Sequence, residues 1–387
     1  MKKIITNLAF LIFTATISAQ ESGMHFEQDA TWQQILEKAK AENKFIFLDA
    51  YASWCGPCKW MAKEVFPKAE VGNALNPNYI NAKIDMEKGE GIDLAKKYNV
   101  RNYPTYLFFN ANGELIHRSL GSMPAKDFIN LCNNTLKPEH QFITLKNKYL
   151  DGDRDTTFLR NYISIANYAQ DSSAQTALKE FLSITKFELS TANIELIFNT
   201  TNSIHDTGYS IMHANKEKFI SLLGKKIIET TEEDLVWVEA KNASKKGTDK
   251  LAFKKIIQKY LPNKTNLLCA EYDLSLLKRA QNWKAYLPKA IAFANTYCKN
   301  DADRLNYIAG NIWENYTNKT TLEKALQYAL RSVLLNSNYD NNDTVARLYA
   351  KLNNKKMGLN YAETALALAK QADAETHSIE ELIETLK

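Results

Sequence analysis

The sequence predicts an α/β domain followed by an all-α domain. Three observations carry that reading. Residues 24–136 alternate apolar runs and helical periodicity in the order α-β-α-β-α-β-β-α. Residues 140–387 hold only six glycines and two prolines, Pro262 and Pro288, and their apolar residues recur every three or four positions, so helices leave little room for strands. Near the end, Ala325-Leu326-Gln327-Tyr328-Ala329 returns 33 residues later as Gly358-Leu359-Asn360-Tyr361-Ala362, a spacing that stacked helix pairs produce.

The elements follow in chain order. Thr31 to Ala41 places Trp32, Ile35, Leu36 and Ala39 at helical spacing, with Thr31 as N-cap. Phe45 to Tyr51 is a buried strand, and a helix follows from Cys58 to about Phe66. Pro67 and Pro77 bracket an expected irregular stretch. Tyr79 to Asp85 reads as a strand and Ile92 to Tyr98 as a helix. Thr105 to Phe109 and Glu114 to Ser119 flank Asn110-Ala111-Asn112-Gly113, a hairpin turn. Phe128, Ile129, Leu131 and Cys132 line a closing helix. Beyond it, Val345, Leu348, Tyr349 and Leu352 mark a helix between the two copies of the repeat, with Trp283, Tyr286 and Ala290 as a diverged earlier copy.

Composition narrows the classes. At 387 residues the chain is too long for one compact core. Residues 1–19 read as a signal peptide: Lys2-Lys3 is a basic start, Leu8 to Ile17 a short apolar stretch, and Ile17-Ser18-Ala19 a cleavage site before Gln20. The alternative is an uncleaved anchor; a lipid anchor has no cysteine at the cut. The formal charge of +5 is weak, and Lys245-Lys246 and Lys254-Lys255 read as solvated helix faces, so nucleic acid is not an expected partner. Five cysteines are too few for a disulfide-stapled exported fold. The six histidines show no ligand spacing, and one Cys-x-x-Cys without a second pair does not complete a metal site. No metal and no cofactor are expected.

Chemistry concentrates in Trp54-Cys55-Gly56-Pro57-Cys58-Lys59, directly after the strand Phe45 to Tyr51. One helical turn separates the two sulfurs, so they can close into a disulfide. The first would sit at a helix N-terminus, where unpaired N–H groups and the positive helix end favour a thiolate. With these residues, 28 to 136 resemble the thioredoxin fold, closest to the domains of exported thiol:disulfide interchange proteins. Residues 285 to 372 resemble tetratricopeptide helix pairs. The expected domains are therefore 24–137, thioredoxin-like, and 142–387, all-α.

The first resemblance implies roles. Cys55 is the attacking, more exposed thiol, and Cys58 the buried resolving one. Asp49, six residues before Cys55 on an apolar strand, matches the buried acid that deprotonates the resolving cysteine, with a raised pKa; its alternative is an outward carboxylate at the strand end. Lys83 matches that acid's partner, or is a surface lysine. Tyr103-Pro104-Thr105 matches the cis-proline loop, which pairs with substrate backbone, a trans turn proline being the alternative. Gly121 lines the same groove with Gly56 and Pro57, and Trp54 shields Cys55 and touches substrate. Lys63 departs from the family: it stands where a proline kinks the active-site helix, so a straighter helix is expected. Cys132 reads as core, and Cys269 and Cys298 as either a structural disulfide or buried thiols.

The function implied is an exported thiol:disulfide oxidoreductase of the periplasm of a Gram-negative cell. It would reduce protein disulfides and be recharged by a membrane thiol-electron donor. Oxidase or isomerase activity is the rival. A different class is a helical-repeat protein that holds a peptide or protein partner in its grooves, or a purely structural or dimerising appendage.

Overall fold

The computed structural model describes residues 23–372 and 376–387. The expected signal peptide, residues 1–19, lies outside the described residues. The chain divides into two compact units between Lys225 and Lys226. No helix among the described residues is long and apolar enough to cross a membrane.

The first unit is built on a four-stranded sheet in the order β2-β1-β3-β4. Strand β1 (Phe45–Tyr51) pairs parallel with β2 (Tyr79–Asp85) and antiparallel with β3 (Thr105–Phe109), which pairs antiparallel with β4 (Leu115–Leu120). Because β1 is central, both its faces are apolar. Ile46, Leu48 and Ala50 pack under α1 (Trp32–Glu42) and α4 (Gly91–Lys97). Phe47 packs on the other side with Met61, Val65, Phe66 and Phe128, the last from α5 (Ala125–Thr135). Thr31 caps α1 in a reciprocal capping box with Gln34, as its sequence position predicts. In the β3–β4 turn the Asn110 side chain accepts from the N–H groups of Asn112 and Glu114, and Gly113 takes positive φ.

Two expectations need correction here. The stretch between Pro67 and Pro77 is not irregular but carries α3 (Ala69–Leu75), with Val71 and Leu75 buried one turn apart. Gly72 belongs to that helix because a Cβ there would overlap the Gly23 carbonyl. Nor does the active-site helix run on as a straight α-helix. It begins as α2 (Gly56–Trp60) and widens into a π turn over Met61–Val65, where the Phe66 N–H reaches back to Met61 O at 2.9 Å. The wider turn lets Met61, Val65 and Phe66 all reach the sheet while Lys63 stays exposed. A helix can thus be interrupted at this place without proline.

After α5 the chain is helical: α6 (Phe142–Leu150), α7 (Thr156–Tyr168), α8 (Ser173–Ile184), α9 (Thr191–Asn199), α10 (Thr207–Ala214) and α11 (Lys216–Leu223) complete the first unit. Helices α6 and α7 pack on the edge strand β4. There the Phe142 N–H donates to His117 Nδ1 at 3.1 Å. Burial pushes the His117 pKa down to about 4, against a backbone hydrogen bond with His140 that favours the charged form. This helix cover also protects an edge that would otherwise expose unpaired backbone groups.

The second unit begins in α12 (Lys225–Ala243) and continues as helix pairs: α13 (Lys250–Tyr260) with α14 (Thr265–Arg279), α15 (Trp283–Tyr297) with α16 (Ala302–Asn315), α17 (Lys319–Leu335) with α18 (Tyr339–Lys351), and α19 (Lys355–Gln371) with α20 (His377–Leu386). Asp249, Asn282, Asn318 and Asn354 each cap the first helix of a pair by accepting an N–H three residues on. Tyr286, Ala290, Phe293, Ile308, Ala325 and Val345 share one core. Side chains also tie the helices together: within one pair Tyr316 donates to Trp283 O, and between successive pairs Tyr328 donates to Asn295 Oδ1 at 3.0 Å. Lys254 and Lys255 are exposed on α13, whereas Lys245 and Lys246 lie in a short 3-10 turn rather than on a helix face. Cys269 and Cys298 are free thiols, so the structural disulfide between them is not formed.

Candidate active site

Strand β1 ends at Tyr51, and Ala52 turns the chain so that Cys55 becomes the N-cap of α2. Gly56 and Pro57 open the helix, where the missing proline N–H costs nothing because first-turn donors have no helical partner. Cys55 and Cys58 are joined in a disulfide with their Cα atoms 5.3 Å apart. The Cys58 N–H points at Cys55 Sγ at 3.1 Å. In the dithiol state that donor and the helix end behind it stabilise a thiolate on Cys55.

The expected difference in exposure between the two cysteines is not seen. Cys55 is 3% exposed and Cys58 2%. Ala52 packs on the disulfide, with Tyr51 and Tyr103 at its edge. Trp54 is 67% exposed; its Nε1–H donates to Glu87 Oε2 at 2.8 Å, and its ring meets Tyr103 edge-on at 5.9 Å. Gly56 and Pro57 are exposed beside it.

The Tyr103–Pro104 bond is cis. Thr105 fixes the loop by donating to Asn102 O at 2.7 Å. Gly121, at positive φ after β4, donates its N–H to Pro104 O at 3.0 Å. The loop, Gly121 and the disulfide turn thus share the C-terminal end of β1 and β4 and the start of β3.

Asp49 is not turned outward. It is fully buried, and neither carboxylate oxygen has a hydrogen-bond partner. Its register neighbours are Lys83 on β2 and Tyr106 on β3, so the three side chains share the face that the active-site helix covers. Lys83 Nζ lies 3.9 Å from Asp49 Oδ2 and 4.8 Å from the centre of the Tyr51 ring. Burial pushes the Asp49 pKa up to about 7, and Lys83 pulls it back. The Tyr106 hydroxyl on the same face is also without a partner, and burial raises its pKa.

All the expected site residues therefore gather at one end of the sheet or directly beneath it. The sequence reading missed Glu87, which tethers Trp54, and Tyr51, which holds the Lys83 ammonium. Glu87 lies in the turn after β2, where no spacing motif singles it out. Among the described residues no cluster of three or more His, Cys, Asp or Glu could hold a metal ion. Cys132 is buried in the core, as expected, and burial raises its pKa strongly.

Residues 32–135 match the family described as Thioredoxin-like domain. The chloroplastic Thioredoxin Y of Oryza sativa subsp. japonica is 32% identical over 123 residues, 32% of this chain and 66% of that protein. The thiol:disulfide interchange protein DsbD of Cronobacter sakazakii is 32% identical over 130 residues, 33% of this chain and 23% of that protein. The chain thus spans less than two thirds of the length of either relative. The solution structure of a putative disulphide-isomerase from Bacteroides thetaiotaomicron is 39% identical, covers 31% of this chain and 98% of its own, and has a TM-score of 0.28. Residues 32–135 of this chain are a thioredoxin-like domain.

Proposed function

We propose that the protein is an exported thiol:disulfide oxidoreductase that reduces disulfides in periplasmic proteins. The observation that carries the reading is the Cys55–Cys58 disulfide, capped by the Cys58 N–H and set over the buried Asp49. In the dithiol state the Cys55 thiolate attacks one sulfur of a client disulfide. The client S–S bond breaks, and its other sulfur leaves as a thiolate that takes a proton from solvent. Asp49 accepts the Cys58 proton, and the Cys58 thiolate attacks Cys55 Sγ. The client then leaves with both sulfurs reduced, two electrons having passed to it, and the Cys55–Cys58 disulfide remains. An acid with a pKa near 7 suits this step, because it exchanges protons at neutral pH. The client backbone pairs with Tyr103 beside Pro104 and rests against Gly121, Gly56, Pro57 and Trp54.

A membrane thiol-electron donor would return the disulfide to the dithiol. The signal peptide over 1–19 and the periplasmic site belong to this proposal, as does the division into a domain over 24–137 and a helical domain over 142–387. A second reading is a helical-repeat partner-binding protein with tetratricopeptide-like pairs over 285–372. The recurring N-caps and the contact of Tyr328 with Asn295 of the preceding pair favour it. The two readings are compatible if the helices select the client.

The test is the equilibrium reduction potential of the Cys55–Cys58 pair. The expected value is about −270 mV, as in thioredoxin, and a value above about −180 mV would replace reductase by oxidase or isomerase.

A further inference from the structure

We propose that the corner between α7 and α8 is a second subsite that holds the client polypeptide as it leaves the redox groove. This rests on the oxidoreductase reading above. Leu120 pairs with Thr105, the residue after Pro104, and so stands about 5 Å across the ladder from the cis-proline loop. Gly121 binds that loop directly, through its N–H to Pro104 O. Leu120 is also a wall of a cleft of about 510 Å³ whose other walls include Asn167, Tyr168, Ser172, Gln175 and Asn202. The cleft therefore begins where the expected groove ends, and it lies wholly in the first unit.

Its chemistry fits a polypeptide main chain. Carboxamides offer both a donor and an acceptor, as a peptide group does. Gln175 donates its amide to Thr200 O at 2.7 Å and leaves Oε1 buried with no partner. A buried acceptor left unmet is costly, and a turn of this half-buried side chain into the cleft it lines would let a client N–H meet it. Asn202 donates to Asn167 Oδ1 at 2.6 Å and Asn167 to Asn199 O at 3.1 Å, so the wall is pre-formed. Tyr168 is 59% exposed at the rim, an aromatic body with a polar tip that suits a neighbouring side chain. The carboxylates at the cleft are already engaged. Asp171 pairs with Lys146 at 2.6 Å and Asp206 accepts from the Asn202 and Ser203 amides, so charge is not what selects the occupant.

Two variants of opposite kind test this. Tyr168→Ala removes the exposed anchor. Ser172→Trp fills the cleft from an exposed helix start whose side chain makes no capping bond. With dithiothreitol as donor, each variant is assayed on insulin and on glutathione disulfide. The expected result is a roughly tenfold lower kcat/KM for insulin, carried by KM, with glutathione disulfide unchanged. Parallel loss on both substrates, or no loss on insulin for either variant, overturns the subsite. Absence of wild-type activity on insulin as well as on glutathione disulfide overturns the redox reading itself, and the subsite with it.

Discussion

Cys55 and Cys298 carry the same thiol at opposite ends of two helices. Cys55 is the N-cap of α2 and receives the Cys58 N–H. Cys298 is the C-cap of α15, at the negative helix end. Burial pushes its pKa up to about 12, and Asp301 adds to the rise. Both residues are almost wholly buried, so exposure does not separate them. The field does: one site favours a thiolate and a bond to a second sulfur, the other keeps a proton and packs as an apolar group. Acids divide in the same way between the two units. Asp49 is buried with no hydrogen bond, whereas Glu233 and Glu271 surround Arg304 and Asp301 pairs with the same guanidinium. Among these acids the one left without a hydrogen bond is the one proposed to move a proton, and those paired with Arg304 hold structure.

The largest effect follows from the thiol pair. Cys55→Ser removes the attacking thiolate and should abolish disulfide reduction, a loss of at least about a thousandfold, whereas Cys298→Ser should leave the rate unchanged. In the dithiol protein at neutral pH, iodoacetamide followed by peptide mass mapping should label Cys55 and spare Cys132 and Cys298. Fast alkylation of Cys298 would break the comparison.

Asp49→Asn should slow the resolution of a preformed mixed disulfide about a hundredfold, read by stopped-flow quenching. It should also flatten a pH dependence of stability. The folded Asp49 pKa, about 7, lies above its ordinary value, so the folded state binds the proton more tightly than the unfolded one. Its favourable contribution is complete below about pH 4 and is lost as the pH rises to about 7. The wild-type unfolding free energy from urea titration should fall across that window by up to a few kcal/mol, and that of Asp49→Asn should not. Equal slopes would mean that Asp49 is not titrating there.

Arg304→Met tests the partnered side. It leaves Glu271 without its cation and Glu233 with Lys264 alone. The expected destabilisation of the second unit is about 3 kcal/mol by urea unfolding. Lys226→Ala, which breaks an exposed pair with Asp303, should cost less than about 1 kcal/mol. Similar values for both would mean that the Arg304 network is as weak as a surface pair.

How much of this was legible in the sequence depended on the range of the contacts. Strands β1, β2 and β3 fall on their expected bounds because each is a short apolar run closed by turn residues. Cys55 and Cys58 were legible from their spacing after one strand, whereas Asp49 and Pro104 were legible through the resemblance that those cysteines established. Helix α3 was hidden by its flanking prolines and by Gly72, whose reason is a distant carbonyl. The π turn has no spacing signature. The packing of α6 on β4 through His117 and Phe142 links residues 25 apart and could not be read locally. In the second unit the caps persist back to Asp249, well before the apolar repeat becomes recognisable near residue 285.

The smallest effect concerns Lys83, whose sequence reading was divided between a partner for Asp49 and a surface lysine. Its ammonium lies 3.9 Å from Asp49, beyond direct hydrogen bonding, and rests on the Tyr51 ring with 27% of the side chain exposed. Through-space attraction is what remains, and it opposes the burial that raises the acid. Lys83→Met keeps an apolar stem against Tyr51 and Phe66 and removes only the charge. The Asp49 pKa should then rise by about one further unit, visible in the carboxyl carbon shift on NMR titration. The pH midpoint of the resolution step should move up by the same amount, because the acid must be ionised to take the Cys58 proton. At a fixed neutral pH the rate should fall only a few-fold. An unmoved midpoint in both measurements would return Lys83 to the surface and leave burial alone to set the acid.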